Sequence, residues 1–169
     1  DESGKIVFLN NSAFRFNRLV PFTITFWENL SSVPTEGTIM SYGQNNTYAG
    51  GSWFWYKTGT SLRFFIGNQL SEGLYVTPTL PAGFWDSGKY VMMTVTYDGT
   101  GYASGIKIYF NGTEASGYTI NSDNFVSDIA WDNTDTMRFG YWTGAVNGGN
   151  NGSLDEVAMW NNRNLSASE

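Results

Sequence analysis

The chain has 169 residues, enough for one domain with a sizeable core. Its net charge of −6 leaves no basic stripe for a nucleic acid or an anionic membrane surface. Cysteine and histidine are both absent, which removes disulfides, the commonest general base and the commonest metal ligand. Aromatics reach 17% and charged residues only 14%, against roughly 25% charged in an average domain. That balance excludes a disordered or coiled-coil chain and suits strands and turns. No apolar run approaches the ~18 residues of a bilayer span, and no signal peptide is visible. The chain begins at Asp1 without Met, as an exported protein, an excised domain or a virion component would, so neighbouring domains are expected.

Strand signals recur every ~8–12 residues, separated by turn signals. They predict strands near 5–9, 12–17, 22–29, 37–42, 52–57, 61–66, 73–77, 89–97, 105–110, 117–120, 136–141 and 154–160. Turns fall at 43–46, at Gly67-Asn68, at Asp98-Gly99, at Asn111-Gly112 and in the Asn/Gly-rich stretch 147–152. Only 123–131 suggests a short helical turn. Neither a repeat nor a linker is visible, so residues 1–169 read as one domain. Alternation predicts three core sets: Phe22, Ile24 and Phe26; Val91, Met93, Val95 and Tyr97; Ile106, Ile108 and Phe110. Sets of this size build a two-sheet core about 10 Å thick. In the last strand Leu154 and Val157 are three apart, which breaks the alternation. A β-bulge at Asp155-Glu156 would reconcile them.

Several blocks carry a family resemblance. Residues 21–27 (Pro-Phe-Thr-Ile-Thr-Phe-Trp) and 37–43 look like early core strands of laminin-G-like and pentraxin-like domains. Residues 89–98 resemble the strand that carries a W-x-x-V-x-x-T-x-D pattern there, and 105–112 its partner ending in a Y-x-N-G turn. Residues 152–166, with a Gly turn, an acidic pair, alternating apolar residues, Asn-Arg and Leu-Ser, resemble the closing strand. The blocks occur in family order over nearly the whole chain. The resemblance implies an all-β fold, a two-sheet antiparallel jelly-roll sandwich of the concanavalin A-like class. It also implies that strand 154–160 lies centrally or beside an N-terminal strand.

A sandwich strand needs one buried face, yet 52–57 is aromatic on both. Trp53 and Trp55 point one way, Phe54 and Tyr56 the other, so one pair is surplus to the core. Aromatic faces beside amides and carboxylates hold sugar rings, by stacking and by hydrogen bonds to hydroxyls. The candidate ligand-binding residues are Trp53, Trp55, Trp85, Tyr141, Trp142, Asn147 and Asn150. The competing reading is core filling, or cover by a loop or a partner subunit.

Metal and catalytic chemistry have less support. Gln44, Asn45 and Asn46 stand where pentraxin-like domains supply an Asp-Asn calcium pair, and Tyr141-Trp142-Thr143 replace their second acidic cluster. The double-calcium site of that family is therefore not expected, nor is calcium-dependent phosphocholine binding. Asp155 is the one candidate for a single structural Ca2+. Its other task would be to accept backbone N–H groups exposed by the bulge, and no cofactor is required. Retaining glycosidases of this class place two carboxylates about 5–5.5 Å apart from a Glu-x-Asp-x-x-Glu run, and none exists here. The expectation is a non-catalytic module that binds carbohydrate at a cell or virion surface, outside the cell. The alternative is a structural or adhesion domain of a phage virion or cell-surface protein, engaging protein subunits as a homo-oligomer or within a larger assembly.

Overall fold

A computed structural model describes residues 6–8, 10–30, 36–43, 51–86, 88–140 and 152–169, with only the backbone described at positions 30 and 36. The strands are β1 (Ile6–Phe8), β2 (Phe22–Leu30), β3 (Glu36–Gly43), β4 (Ser52–Thr58), β5 (Ser61–Gln69), β6 (Glu72–Pro78), β7 (Tyr90–Tyr97), β8 (Ile106–Phe110), β9 (Thr113–Glu114), β10 (Tyr118–Asp123), β11 (Thr136–Phe139) and β12 (Gly152–Asn161). They form two sheets in which every pairing between the described strands is antiparallel. One has the order β1-β11-β3-β4-β5-β6-β10 and the other β12-β2-β7-β8-β9. This is the jelly-roll sandwich expected from the sequence. β12 lies beside β2, an N-terminal strand, but at the sheet edge rather than in its centre.

Two local expectations fail. Residues 12–17 alternate like a strand, yet the Asn11 side chain accepts from the Ala13 N–H at 2.9 Å and winds Ser12–Phe14 into a 3-10 turn. Such local side-chain bonds compete with sheet ladders. Phe16 still reaches the core, stacked on Phe22 at 4.5 Å. The helical turn expected in 123–131 is absent. The second 3-10 turn among the described residues is Ala103–Gly105.

The alternating sets meet between the sheets as predicted. From the five-stranded sheet come Phe22, Ile24, Phe26, Met93, Val95, Tyr97, Ile106, Ile108 and Phe110, all buried. Val91 is half-buried and packs against this core. The seven-stranded sheet supplies Met40, Tyr42, Trp53, Trp55, Leu62, Phe64, Ile66, Leu74 and Val76. Phe26 meets Trp55 edge-on at 5.8 Å, and Phe22 meets Phe64 at 6.0 Å. These contacts join the sheets by the aromatic geometry that the ring quadrupole favours.

One layer of the interior is charged. Glu28 continues the inward row of β2, and Lys57 continues the row of Trp53 and Trp55 on β4. They are 3% and 0% exposed, and their charges interact. The Lys57 Nζ lies 4.6 Å from the centre of the Trp85 ring and makes no hydrogen bond. Burial pushes this ammonium down to about 8, and the Glu28 carboxylate opposes part of that fall.

Candidate functional site

The register of β4 decides which of its faces is surplus. Trp53 pairs with Tyr42 and Ile66, and Trp55 with Met40 and Phe64, all of them core residues. Trp53 and Trp55 are both 0% exposed, so neither offers a ring to a ligand. This corrects the expectation for both. The Trp53 Nε1 donates to the Phe14 carbonyl at 2.8 Å, which satisfies the indole inside the core. The outward pair is Phe54 and Tyr56.

Trp85 is half-buried in the turn after β6. Its Nε1 donates to the Thr60 carbonyl at 2.9 Å, Phe84 packs edge-on against it at 4.6 Å, and Lys57 takes up a ring face. It closes one end of the sandwich rather than offering an open platform. Tyr141, Trp142, Asn147 and Asn150 lie outside the described residues.

Asp155 is exposed, and its Oδ1 accepts from the Glu156 backbone N–H at 2.8 Å. The register shifts between Asp155 and Ala158, so Glu156 and Val157 share the place opposite Phe26. Glu156 has φ 48°, the left-handed geometry typical of a bulge. The bulge thus sits one residue beyond the expected pair. No group of three or more acidic side chains that could hold a metal ion occurs among the described residues. Asp155→Ala is expected to cost about 1 kcal/mol, the net worth of an exposed hydrogen bond, read from urea unfolding.

The outward aromatics do not stand alone. Phe54 pairs with Phe65, and Phe65 with Tyr75, in one row across β4, β5 and β6. Phe54 and Phe65 stack at 4.9 Å, and Phe65 meets Tyr75 edge-on at 6.0 Å. A side chain at Gly73 would put its Cβ 2.7 Å from the Phe65 ring, so glycine there lets that ring lie against the sheet. The next row pairs Thr38, Tyr56 and Arg63. Arg63 Nη1 donates to the Tyr75 hydroxyl at 3.0 Å, and the guanidinium carbon lies 5.7 Å from that ring's centre. On β6, Thr77 donates to Asn121 Oδ1 at 2.7 Å. Phe54 and Phe65 are 4% and 1% exposed. The accessible part is therefore Tyr56, Arg63, Tyr75 and Thr77, all half-buried, with Asn121 exposed beside them.

Arg63, Phe65 and Tyr75 are not among the expected site residues, although the sequence carries a signal for the first two. Gly59-Thr60 and Leu70-Ser71 close tight hairpins between β4, β5 and β6. Carrying the outward parity of Phe54 and Tyr56 through the first turn places Arg63 and Phe65 on the same face, whereas Tyr75 joins them only through the register shift between Gly67 and Gln69.

Two other concavities differ in chemistry. A cleft of about 500 Å³ opens between β1 and β11 on one sheet and β12 on the other, lined by Ile6, Phe8, Phe14, Phe139, Leu154 and Met159 among others. None of its described lining residues has a hydrogen-bonding side chain. A smaller cleft of about 160 Å³ lies on the outer face of the five-stranded sheet, beneath residues 165–169. Several of its polar groups are engaged: Thr25 and Thr94 hydroxyls bond each other at 2.8 Å, and Glu169 accepts from Ser166.

The sandwich and its outward aromatic face define a lectin-like domain, and comparison of the sequence agrees. Residues 2–169 match the concanavalin A-like lectin/glucanases superfamily, and the chain belongs to it. No curated protein matches. Among solved structures, the binding domain of Paraclostridial Mosquitocidal Protein 1 is similar, with TM-score 0.66 and 17% identity over 99% of this chain and 40% of that one. The botulinum neurotoxin serotype G binding domain gives TM-score 0.68 and 16% identity, over 99% and 39%. The receptor binding domain of botulinum neurotoxin D gives 0.67 and 16%, over 99% and 40%. At such identities the likeness is one of fold. The chain spans about two fifths of the length of the structures it matches.

Proposed function

We propose that the chain is a non-catalytic binding module that recognises carbohydrate through the outer face of β4, β5 and β6. The observation that carries this reading is the half-open group of Tyr56, Arg63, Tyr75 and Thr77 beside Asn121. It sets ring faces next to hydroxyl, guanidinium and amide groups, the pairing that a sugar's C–H face and hydroxyls require. Neither described row of this face contains a carboxylate, which suits binding better than glycoside hydrolysis. The similar solved structures are binding domains of other proteins, and this supports the same reading. No helix among the described residues is long and apolar enough to cross a membrane. A place outside the cell, at a surface rich in glycans, follows from this reading.

The test is a glycan array probed with the wild-type chain and with Tyr75→Ala, in calcium and in chelator. Wild type is expected to bind a subset of glycans, and Tyr75→Ala to lose at least tenfold in affinity while its near-UV circular dichroism stays native. Melting temperatures in calcium and in chelator are expected to coincide. An ion at one hundred times its dissociation constant would add about 2.7 kcal/mol and separate them. Ile6, Phe8 and Val157 are exposed at the rim of the apolar cleft and favour a second reading, contact with a protein surface. An empty array together with concentration-dependent self-association would decide for that reading.

A further inference from the structure

We infer that the outer face of β4–β6 takes an anionic saccharide, whose carboxylate or sulfate group is held by Arg63 between the rings of Tyr56 and Tyr75. This rests on the carbohydrate reading above and names its ligand class.

Among the described residues, every cation but one is tied to a carboxylate or to backbone carbonyls. Lys89 pairs with Asp86, Lys107 with Glu114 at 3.2 Å, and Arg163 with Glu169. Lys57 faces Glu28. Arg15 bonds Asn10 and the Asp132 carbonyl, Arg18 the Phe125 carbonyl, and Arg138 the Gly43 carbonyl. Arg63 differs, for its hydrogen bond goes to a phenol, which neutralises nothing. Its Nε is shielded from solvent and has no partner. A guanidinium offers five N–H donors in a planar fork that fits a carboxylate or sulfate edge.

Position sharpens the argument. Arg63 lies inside β5, the middle one of three consecutive strands, with Tyr56 opposite and Phe65 two residues on. A cation needed only for solubility would be expected at an edge or a loop. Here the Tyr75 hydroxyl anchors one arm of the fork and its ring lies beside the guanidinium, so the group is oriented before a ligand arrives. Rings on both sides suit a pyranose carrying the acid group. The overall charge of −6 makes non-specific attraction of anions weak, so any preference for them must come from this local contact. Salt should then affect binding much less than it affects a basic-patch binder.

The experiment uses matched saccharides that differ only in charge: oligogalacturonate against its methyl ester, and a sulfated galactan oligosaccharide against the desulfated one. Calorimetry is run on wild type, Arg63→Lys, Arg63→Gln and Tyr75→Phe. Wild type is expected to prefer one charged member over its neutral match by at least tenfold, and the pair that shows this tells carboxylate from sulfate. Arg63→Gln should abolish the preference without abolishing weak neutral binding. Arg63→Lys should keep part of it, and Tyr75→Phe, which frees the fork, should reduce it. Equal binding of charged and neutral members by wild type overturns the inference and leaves the carbohydrate reading standing. So does a preference that survives in Arg63→Gln. If no saccharide of either pair binds wild type and the glycan array is also empty, both fail.

Discussion

Trp53→Ala and Trp55→Ala are each expected to lower the unfolding free energy by about 3–5 kcal/mol, with no effect on ligand contacts beyond that loss. Both indoles are fully buried where the sheets meet. Trp53 packs on Phe16 at 5.5 Å, and Trp55 on Phe26 and on Phe64 at 5.4 Å. Removing either leaves a cavity too large for its neighbours to fill. Trp53→Ala also strands the Phe14 carbonyl that its indole bonds. Guanidinium unfolding of the two variants beside Tyr75→Ala checks this. A core role predicts the large losses in the tryptophan variants and a much smaller one at Tyr75. A ligand role for Trp53 or Trp55 would reverse the order.

The second large effect concerns the charged layer. A lone buried charge is costly, so Glu28→Gln is expected to destabilise by about 3 kcal/mol. The double variant Glu28→Gln, Lys57→Met should return to wild-type stability or exceed it, because it removes the charge along with its partner. The pH profile gives an independent reading. The Lys57 ammonium has its ordinary value of 10.5 in the unfolded chain and about 8 in the fold. Between those values the unfolded state binds more protons, so stability rises with pH, by on the order of 3 kcal/mol if Lys57 acts alone. Tyr97 acts in the opposite sense. Burial pushes its phenol from 10.0 up to about 12, so the fold keeps a proton that the unfolded chain has lost, and stability falls across that range. Wild type should therefore gain stability above pH 8 and turn over near pH 10. The double variant should lose the rise and keep the fall. Asp86 and Lys89, which line the same small cavity as Glu28, pair with each other at its rim, and neither variant changes that pair.

What was legible in the sequence divides along physical lines. Period-2 alternation is local, and it located the inward rows of β2, β7 and β8 because in each one face is the more continuously apolar. It could not orient β4, where Trp53-Phe54-Trp55-Tyr56 is aromatic throughout. Orientation there depends on pairing with β3 and β5, which is not a local property. The same limit hid Lys57. A charge at the end of an inward row reads as a strand terminus until a facing Glu28 and a covering Trp85 are known. Residues 12–17 failed for another reason: their alternation was real, but the Asn11 cap outweighed it. The bulge in β12 was readable because Leu154 and Val157 broke the period themselves. The outer face of β4–β6 needed parity carried across two hairpins and past the register shift in β5, and each aromatic in it also fitted the core.

The pairing of β2 with β12 sets how the domain answers a pulling force. Phe22, at the start of β2, lies opposite Asn161, at the end of β12. Tension drawn through the flanking chain first peels the three-residue β1 from β11, then arrives at that one corner. There it loads the cross-strand hydrogen bonds singly, in sequence, rather than all at once. A sheet opened in this way yields at low force, except for the corner itself. Thr23 Oγ1 donates to the Arg163 carbonyl and accepts from the Leu165 N–H, and Asn161 Nδ2 donates to the Ala13 carbonyl. These few bonds are expected to bear the load before any bond of the β2–β12 ladder does, which makes Thr23 and Asn161, rather than the aromatic core, the expected determinants of resistance to pulling.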